Sequence, residues 1–292
     1  MSKKIEGILT AIVTTFDDNG NFCPSRMRKQ VKRQLHHKNS IFCNGTNGEF
    51  FVLTQQEKIK VAEVCVDEVG GRFPVMAHIG EISSQETIKL GKQIAKLGVD
   101  AVSVIAPYFI PLKQQELIDH YTKVADALTV PIYLYNIPAR TGNKIEPQTA
   151  AILAEHPNIW GIKDSAGSIE SLQGFIDIAK QFEGFDVLTG PDSLIYQGFV
   201  GGAVGSISGL ANVVPEHIQA IWQHFKAGDL DHAKAAQELV GDLRQRLYAT
   251  VFSPAAVKKA LSLMGEQVGE SRYPILFSDS DIATINDLVK RL

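Results

Sequence analysis

Apolar and β-branched residues gather along the chain into eight short runs, at residues 8–13, 40–43, 74–79, 101–105, 131–135, 159–163, 186–189 and 203–206. Runs of this length without strict polar alternation suit strands buried on both faces of a parallel sheet. Longer segments separate them, at 25–36, 54–69, 83–97, 114–128, 147–155 and 168–182. In these, apolar residues return at helical spacing, as Ile88, Leu90, Ile94 and Ala95 do in the third. Helix starts are marked as well. Thr54 stands three residues before Glu57 and Ser83 three before Glu86, both of capping-box form.

Eight strand–helix units predict an α/β fold, specifically a (β/α)8 TIM barrel. The alternative is an open doubly wound sheet of Rossmann type. Even recurrence of the strands favours the barrel, as does the lack of a Gly-x-Gly-x-x-Gly turn after the first of them. The units end near Ala227, and the remainder carries helical signals at 230–251, at 255–264 (opened by Ser253-Pro254 and stopped by Gly265) and at 280–292. The expected organisation is therefore a barrel with the catalytic site over residues 1–227 and a C-terminal helical extension over 228–292. The extension is expected to pack on the barrel or to contribute to an oligomer interface.

Composition narrows the partners. Twenty-nine basic against thirty-two acidic residues give a net charge of -3, with no polybasic run to neutralise a phosphate backbone, so nucleic acid is not expected. Cys23, Cys43 and Cys65 are odd in number and lack metal-ligand spacing, which reads as reduced thiols without a disulfide framework. The apolar stretch 7–13 is too short for a signal peptide or a membrane span, and 101–112 is broken by Pro107 and Pro111. The expectation is a cytoplasmic protein with no membrane partner.

In a barrel of this kind chemistry sits at the carboxyl ends of the strands. Strand six ends in Lys163-Asp164-Ser165 and strand five in Tyr135-Asn136. A lysine in register at the end of a buried strand is unusual. Desolvation disfavours a charged amine, and a neutral amine condenses with a carbonyl to form a Schiff base. Neighbouring strands lie about 4.8 Å apart, so Tyr135 is within reach as a proton relay. The plainer reading is a core tyrosine beside a lysine whose head reaches solvent.

Asn44-Gly45-Thr46-Asn47-Gly48-Glu49 follows strand two; its glycines allow backbone amides to approach a small anion, though an ordinary tight turn fits equally. Arg140, read as lying on the loop after strand five, suits bidentate capture of a carboxylate or a salt bridge that ties the loop. Pro107-Tyr108-Phe109 places aromatics where they cover a pocket or an interface. Asp192, Ser193 and Ser208 read as later loop residues that reach substrate hydroxyls, with a helix N-cap as the alternative for Asp192. His78 alone among eight histidines falls at a strand end, without a second ligand at metal spacing, and no metal site is expected. His36-His37 reads as a solvated helix end. There is no Gly-x-Ser-x-Gly elbow.

Together these motifs resemble the family of dihydrodipicolinate synthase and N-acetylneuraminate lyase. The carriers are Ala11-Ile12-Val13-Thr14, Gly45-Thr46-Asn47-Gly48-Glu49 with Leu53-Thr54, Tyr135-Asn136-Ile137-Pro138, Gly161-Ile162-Lys163-Asp164-Ser165, Gly190-Pro191-Asp192, the run 201–208, and Pro254 with Lys258 and Lys259. The resemblance implies a tetrameric, pyruvate-dependent barrel enzyme that needs no cofactor beyond a covalent lysine imine. It implies that Lys163 forms the imine, that Tyr135 relays protons, that Thr46 links into that relay, and that Gly45, Asn47 and Gly48 hold the keto-acid carboxylate. Ile207 would line the methyl side of pyruvate. Asn47 stands where the family usually has Thr or Ser. Phe109 matches a second relay tyrosine of the synthases, Arg140 matches their aldehyde-binding arginine, and Ile82 replaces an asparagine of lysine-regulated members. Since phenylalanine passes no proton, the expected reaction is aldol cleavage or formation of a 2-keto-3-deoxy acid. The alternatives are condensation of pyruvate with aspartate semialdehyde, a dehydratase or deaminase acting through the same imine, and a non-catalytic 2-keto-acid sensor.

Overall fold

The computed structural model describes residues 3–292. Its strands are β1 (Gly7–Ala11), β2 (Ser40–Cys43), β3 (Val75–His78), β4 (Ala101–Ile105), β5 (Ile132–Asn136), β6 (Ile159–Asp164), β7 (Asp186–Thr189) and β8 (Gly205–Ser208). Every described pairing between these strands is parallel, and the strand order follows the sequence around a closed barrel. The helices in chain order are α1 (Pro24–His36), α2 (Gln55–Val69), α3 (Ser84–Ala95), α4 (Gln114–Ala127), α5 (Pro138–Thr141), α6 (Pro147–Ala154), α7 (Ile169–Ala179), α8 (Ile195–Gly201), α9 (Pro215–Lys226), α10 (Leu230–Tyr248), α11 (Ser253–Leu263) and α12 (Asp279–Lys290).

The barrel reading holds, and most boundaries fall within two residues of expectation. The exceptions are the ends of α7, expected at 182 and found at Ala179, and of α10, expected at 251 and found at Tyr248; β8, expected over 203–206, is shifted by two residues to Gly205–Ser208. Gly202, at φ 121°, ends α8 and carries the chain through Ala203 and Val204 before the strand begins. Thr54 and Glu57 complete the expected capping box on α2. Ser83 caps α3 by accepting from the Glu86 amide.

Two compact units interleave along the chain, and they do not follow the 227/228 division, which separates strand-bearing from purely helical sequence. One comprises Met1–Gly7 and Pro74–Ile207, the other Ile8–Phe73 and Ser208–Leu292. Within the first, β3 to β7 carry apolar cores such as Val102, Val104, Leu134 and Ile162, all fully buried. Within the second, α9 and α10 pair, α1 lies beside α2, and α11 beside α12. Buried Val31, Leu35, Val61, Ile218, Val257 and Leu261 supply its core. No described helix is long and apolar enough to cross a membrane. Cys23, Cys43 and Cys65 are free thiols.

One buried group ties stability to pH. His120 on α4 is 5% exposed, and its Nδ1 lies 2.8 Å from Ser84 Oγ. Burial, with Lys123 adding to it, lowers the imidazole from 6.5 to about 4. The unfolded chain therefore takes up a proton below 6.5 that the folded chain refuses until about 4. Stability is full above that window and falls through it, by about 3 kcal/mol at about 1.4 kcal/mol per unit. Urea unfolding of His120→Gln at pH 7.5 and 4.5 is expected to show a correspondingly smaller acid loss; an unchanged loss would place the effect elsewhere.

Candidate active site

Tyr135 and Lys163 are direct partners in the β5–β6 register, so both side chains leave the same face of the sheet at the carboxyl ends of their strands. Lys163 is 4% exposed and Tyr135 2%. The lysine Nζ lies 4.0 Å from the centroid of the Tyr135 ring, close enough for a cation–π contact. Beyond it, His78 at the end of β3 sets its ring edge-on to Tyr135 at 5.9 Å. His78 is thus an aromatic neighbour of the relay candidate, buried to 1% exposure. Two residues earlier on the same strands, Gly161 makes room for the Tyr133 ring, since a Cβ there would approach Tyr133 Cε1 to 2.7 Å. The Tyr133 hydroxyl donates to Asp186 Oδ2 at 3.1 Å. Burial, reinforced by Asp186, pushes the Tyr133 phenol well up, and burial raises Asp186 too.

The next residues on the two strands pair as well, a contact that sequence reasoning missed. Asn136 Nδ2 donates to Asp164 Oδ1 at 2.8 Å, while Asn136 Oδ1 accepts from the Ile145 amide. Burial raises Asp164, against the bonds from Asn136 and Ala166. The chain after β5 is held further by Asn143, which is 4% exposed. Its Oδ1 accepts from the Leu112 amide, and its Nδ2 donates to Pro107 O and Ile110 O. One buried amide therefore joins the segment after β5 to the Pro107–Leu112 stretch. The only sequence signal was an asparagine one residue after Gly142, which sits in the left-handed region at φ 73°.

Arg140 lies on the short helix α5 instead of an open loop, and it is exposed. Pro138 at its start and Gly142 after it delimit that single turn. Tyr108 is half-buried, its phenol raised by burial and by Glu81. Phe109 is 90% exposed at φ 81°, so it covers nothing within the chain. Asp192 opens a 3-10 turn, Asp192–Leu194, and is buried; Pro191 is the N-cap, so the alternative capping role falls away. Ile207 and Ser208 belong to β8, which corrects the loop placement of Ser208. The Ser208 hydroxyl accepts from the Ala211 amide at 3.0 Å.

In the other compact unit, the turn after β2 is bracketed by Asn44 at φ 57° and Glu49 at φ 55°, both left-handed without being glycine. Asn44 Nδ2 donates to Lys58 O. Thr14 Oγ1 donates to Gly48 O at 2.6 Å, and the Glu49 amide closes onto Thr46 O. Gly45 is required, because a Cβ there would come 2.3 Å from Phe42 Cε1. Asn47 Oδ1 is buried without a hydrogen-bond partner. A Cβ at Gly209 would meet Asn47 Nδ2 at 2.6 Å and the Tyr248 hydroxyl at 2.9 Å. Gly209 and Tyr248, the latter from α10 of the helical tail, therefore border the Asn47 side chain, and neither was picked out from sequence.

Glu49 leads to a second missed feature. Its carboxylate is fully buried 2.5 Å from Lys258 Nζ on α11, whose side chain is 2% exposed. Burial lowers the Lys258 ammonium, and Glu49 opposes that shift. Elsewhere, His224, Asp229 and His232 at the α9–α10 junction bring three ligand-type atoms within 4.8 Å of one another. There Asp229 accepts from both imidazoles and caps α10.

The model of the dihydrodipicolinate synthetase family matches residues 4–291. A 4-hydroxy-tetrahydrodipicolinate synthase from Methanopyrus kandleri is 35% identical over 278 residues, covering 94% of this chain and 92% of the relative. A DapA-like lyase of uncharacterised activity from Halobacterium salinarum is 34% identical over 281 residues, covering 95% and 90%. Among solved structures, the chloride-inhibited dihydrodipicolinate synthase of Acinetobacter baumannii complexed with pyruvate superposes with a TM-score of 0.93 at 30% identity, covering 98% of each chain.

Proposed function

The chain belongs to the dihydrodipicolinate synthetase family, and from that premise we propose that it is a pyruvate-dependent carbon–carbon lyase that cleaves or forms a 2-keto-3-deoxy acid through an imine on Lys163. The observation that carries this reading is the buried Lys163 amine 4.0 Å from the Tyr135 ring at the carboxyl ends of paired strands. The Lys163 amine adds to the C2 carbonyl of the keto acid; the carbinolamine hydroxyl takes a proton from Tyr135 and leaves as water, giving a protonated imine and a Tyr135 phenolate. Tyr135 takes the proton from the C4 hydroxyl as the C3–C4 electron pair moves toward the imine nitrogen. An aldehyde leaves and an enamine of pyruvate remains on the lysine. Protonation at C3 and hydrolysis then release pyruvate and regenerate the amine. The lysine imine is the only prosthetic chemistry in this sequence of steps.

Family membership supports the roles proposed for the remaining residues. The Gly45, Asn47 and Gly48 amides are assigned the keto-acid carboxylate, with Thr46 linked to the proton relay and Ile207 on the methyl side of pyruvate. Arg140, Asp192 and Ser208 are assigned the distal part of the substrate. Phe109, exposed and turned outward in a left-handed conformation, is assigned to contact with a second copy in a homo-oligomer, for which we propose a tetramer. Small-molecule partners, a cytoplasmic location, and residues 228–292 as a helical extension of a 1–227 barrel complete the reading.

A second reading, condensation of pyruvate with aspartate semialdehyde, is favoured by Arg140 and by relatives named as synthases. It is opposed by Phe109, which has no proton to pass. Borohydride reduction in the presence of pyruvate, followed by peptide mapping, is expected to place an adduct on Lys163. Absence of that adduct from folded protein sinks both readings. Assays of pyruvate with polyhydroxylated aldehydes and with aspartate semialdehyde then separate them, and robust turnover of the semialdehyde defeats the aldolase assignment.

A further inference from the structure

The left-handed backbone of Glu49 is sparsely populated by non-glycine residues, and at this buried position its surroundings hold it. Those surroundings come from the helical tail. Glu49 Oε1 lies 2.5 Å from Lys258 Nζ, and Oε2 accepts from the Arg272 amide at 3.0 Å. Lys258 also donates to Glu270 O at 3.5 Å, and its Nζ stands 4.0 Å from the centroid of the Phe16 ring. The Arg272 guanidinium takes the same ring at 4.2 Å. It donates to Gly20 O through Nε and pairs with Glu57 at 2.6 Å. Glu57 is the capping-box acid of α2, the helix that follows the turn. Glu49 at the end of the turn and Glu57 at the start of α2 are thus held by segment 258–272, with Phe16 between two cations.

A fully buried ion pair is a poor device for stability alone, because apolar residues of similar volume do as well. It does impose one geometry, since each charge needs its partner in place. We propose that Lys258 and Glu49 are positioning residues for keto-acid binding: Glu49, neutralised by Lys258 and tethered to the Arg272 amide, locks its own backbone and so sets the direction of the Gly45–Gly48 amides. The helical tail thereby controls affinity for the keto-acid carboxylate. This rests on the assignment of those amides made above.

The test uses the full-length protein and the pyruvate concentration that half-saturates borohydride trapping, with melting curves to verify folding. Lys258→Met leaves the Glu49 carboxylate buried without its cation, and the residue is expected to leave its pocket. Half-saturation should rise by about tenfold or more, while the trapping rate at saturating pyruvate stays within about threefold. The double variant Glu49→Gln/Lys258→Met removes both charges but keeps an acceptor for the Arg272 amide, and its half-saturation should return to within about threefold of wild type. Glu49→Ala/Lys258→Met loses that tether and should remain impaired. A folded Lys258→Met protein with wild-type half-saturation overturns the proposal. If that variant does not fold, equal half-saturation in the two double variants overturns it instead. Should wild type show no trapping at all, the functional reading fails separately. Amide hydrogen exchange across 45–49 then decides the positioning claim: faster exchange in the folded single variant, or in the Ala double variant relative to the Gln one, supports it, and unchanged exchange overturns it.

Discussion

Lys163→Met is expected to lower turnover by about 10⁴- to 10⁶-fold, the range seen when a covalent nucleophile is removed, and to abolish borohydride-dependent labelling by pyruvate. Methionine retains most of the stem volume at a site that is 4% exposed, and it keeps the apolar contact with the Tyr135 ring. Removing a buried group able to carry charge is not expected to destabilise the fold. The urea midpoint should therefore stay at or above that of wild type while activity disappears. That combination separates a chemical role from a structural one. A variant retaining more than about a hundredth of wild-type turnover would assign the imine to another amine. Lys58 and Lys258 are also deeply buried, and peptide mapping of any residual adduct would identify which amine carries it.

Tyr135→Phe carries the second large effect. The ring remains in place beneath Lys163 Nζ and edge-on to His78, so packing is conserved. Only the hydroxyl is lost. General acid–base groups contribute about 10²- to 10⁴-fold, and a fall of that size in turnover is expected. Pyruvate should still label Lys163, more slowly, because carbinolamine dehydration also moves protons. Turnover within about threefold of wild type would leave Tyr135 as a packing residue, and the relay would have to be sought elsewhere.

Lys163 and Tyr135 were legible because both lie on short, strongly patterned strands. Where a β-branched run stops, the next polar residue falls at a strand end, and parallel strands place equivalent ends side by side. Asn136–Asp164 obeys the same register one residue further on, yet an asparagine and an aspartate at strand ends look like ordinary turn formers. The segment after β5 was less legible. Arg140 falls on a helix of four residues, Pro138–Thr141, too short to show periodicity. Asn143 acts through backbone groups of a distant stretch that no pattern in its own neighbourhood announces.

The buried pair shows the limit most clearly. Glu49 follows a glycine-rich turn, where a carboxylate normally meets water, and Lys258 follows Ala255, Ala256 and Val257 in a helix. The available sign was a lysine on the apolar side of α11, three residues after Ala255 and three before Leu261. Nothing local indicated which acid would meet it.

By itself the sequence determined the eight-fold alternation of strand and helix, the ends of those elements, and the identity of the amine and phenol that share one edge of the sheet. These follow from hydrophobic period, capping chemistry and strand register, all interactions between near neighbours in the chain. Only the tertiary structure decided that Glu49 is charge-paired inside the protein, that Gly209 and Tyr248 border Asn47, and that Phe109 points outward. Those outcomes depend on desolvation and close packing between segments far apart in sequence, where burial makes an ion pair obligatory and one added Cβ intolerable.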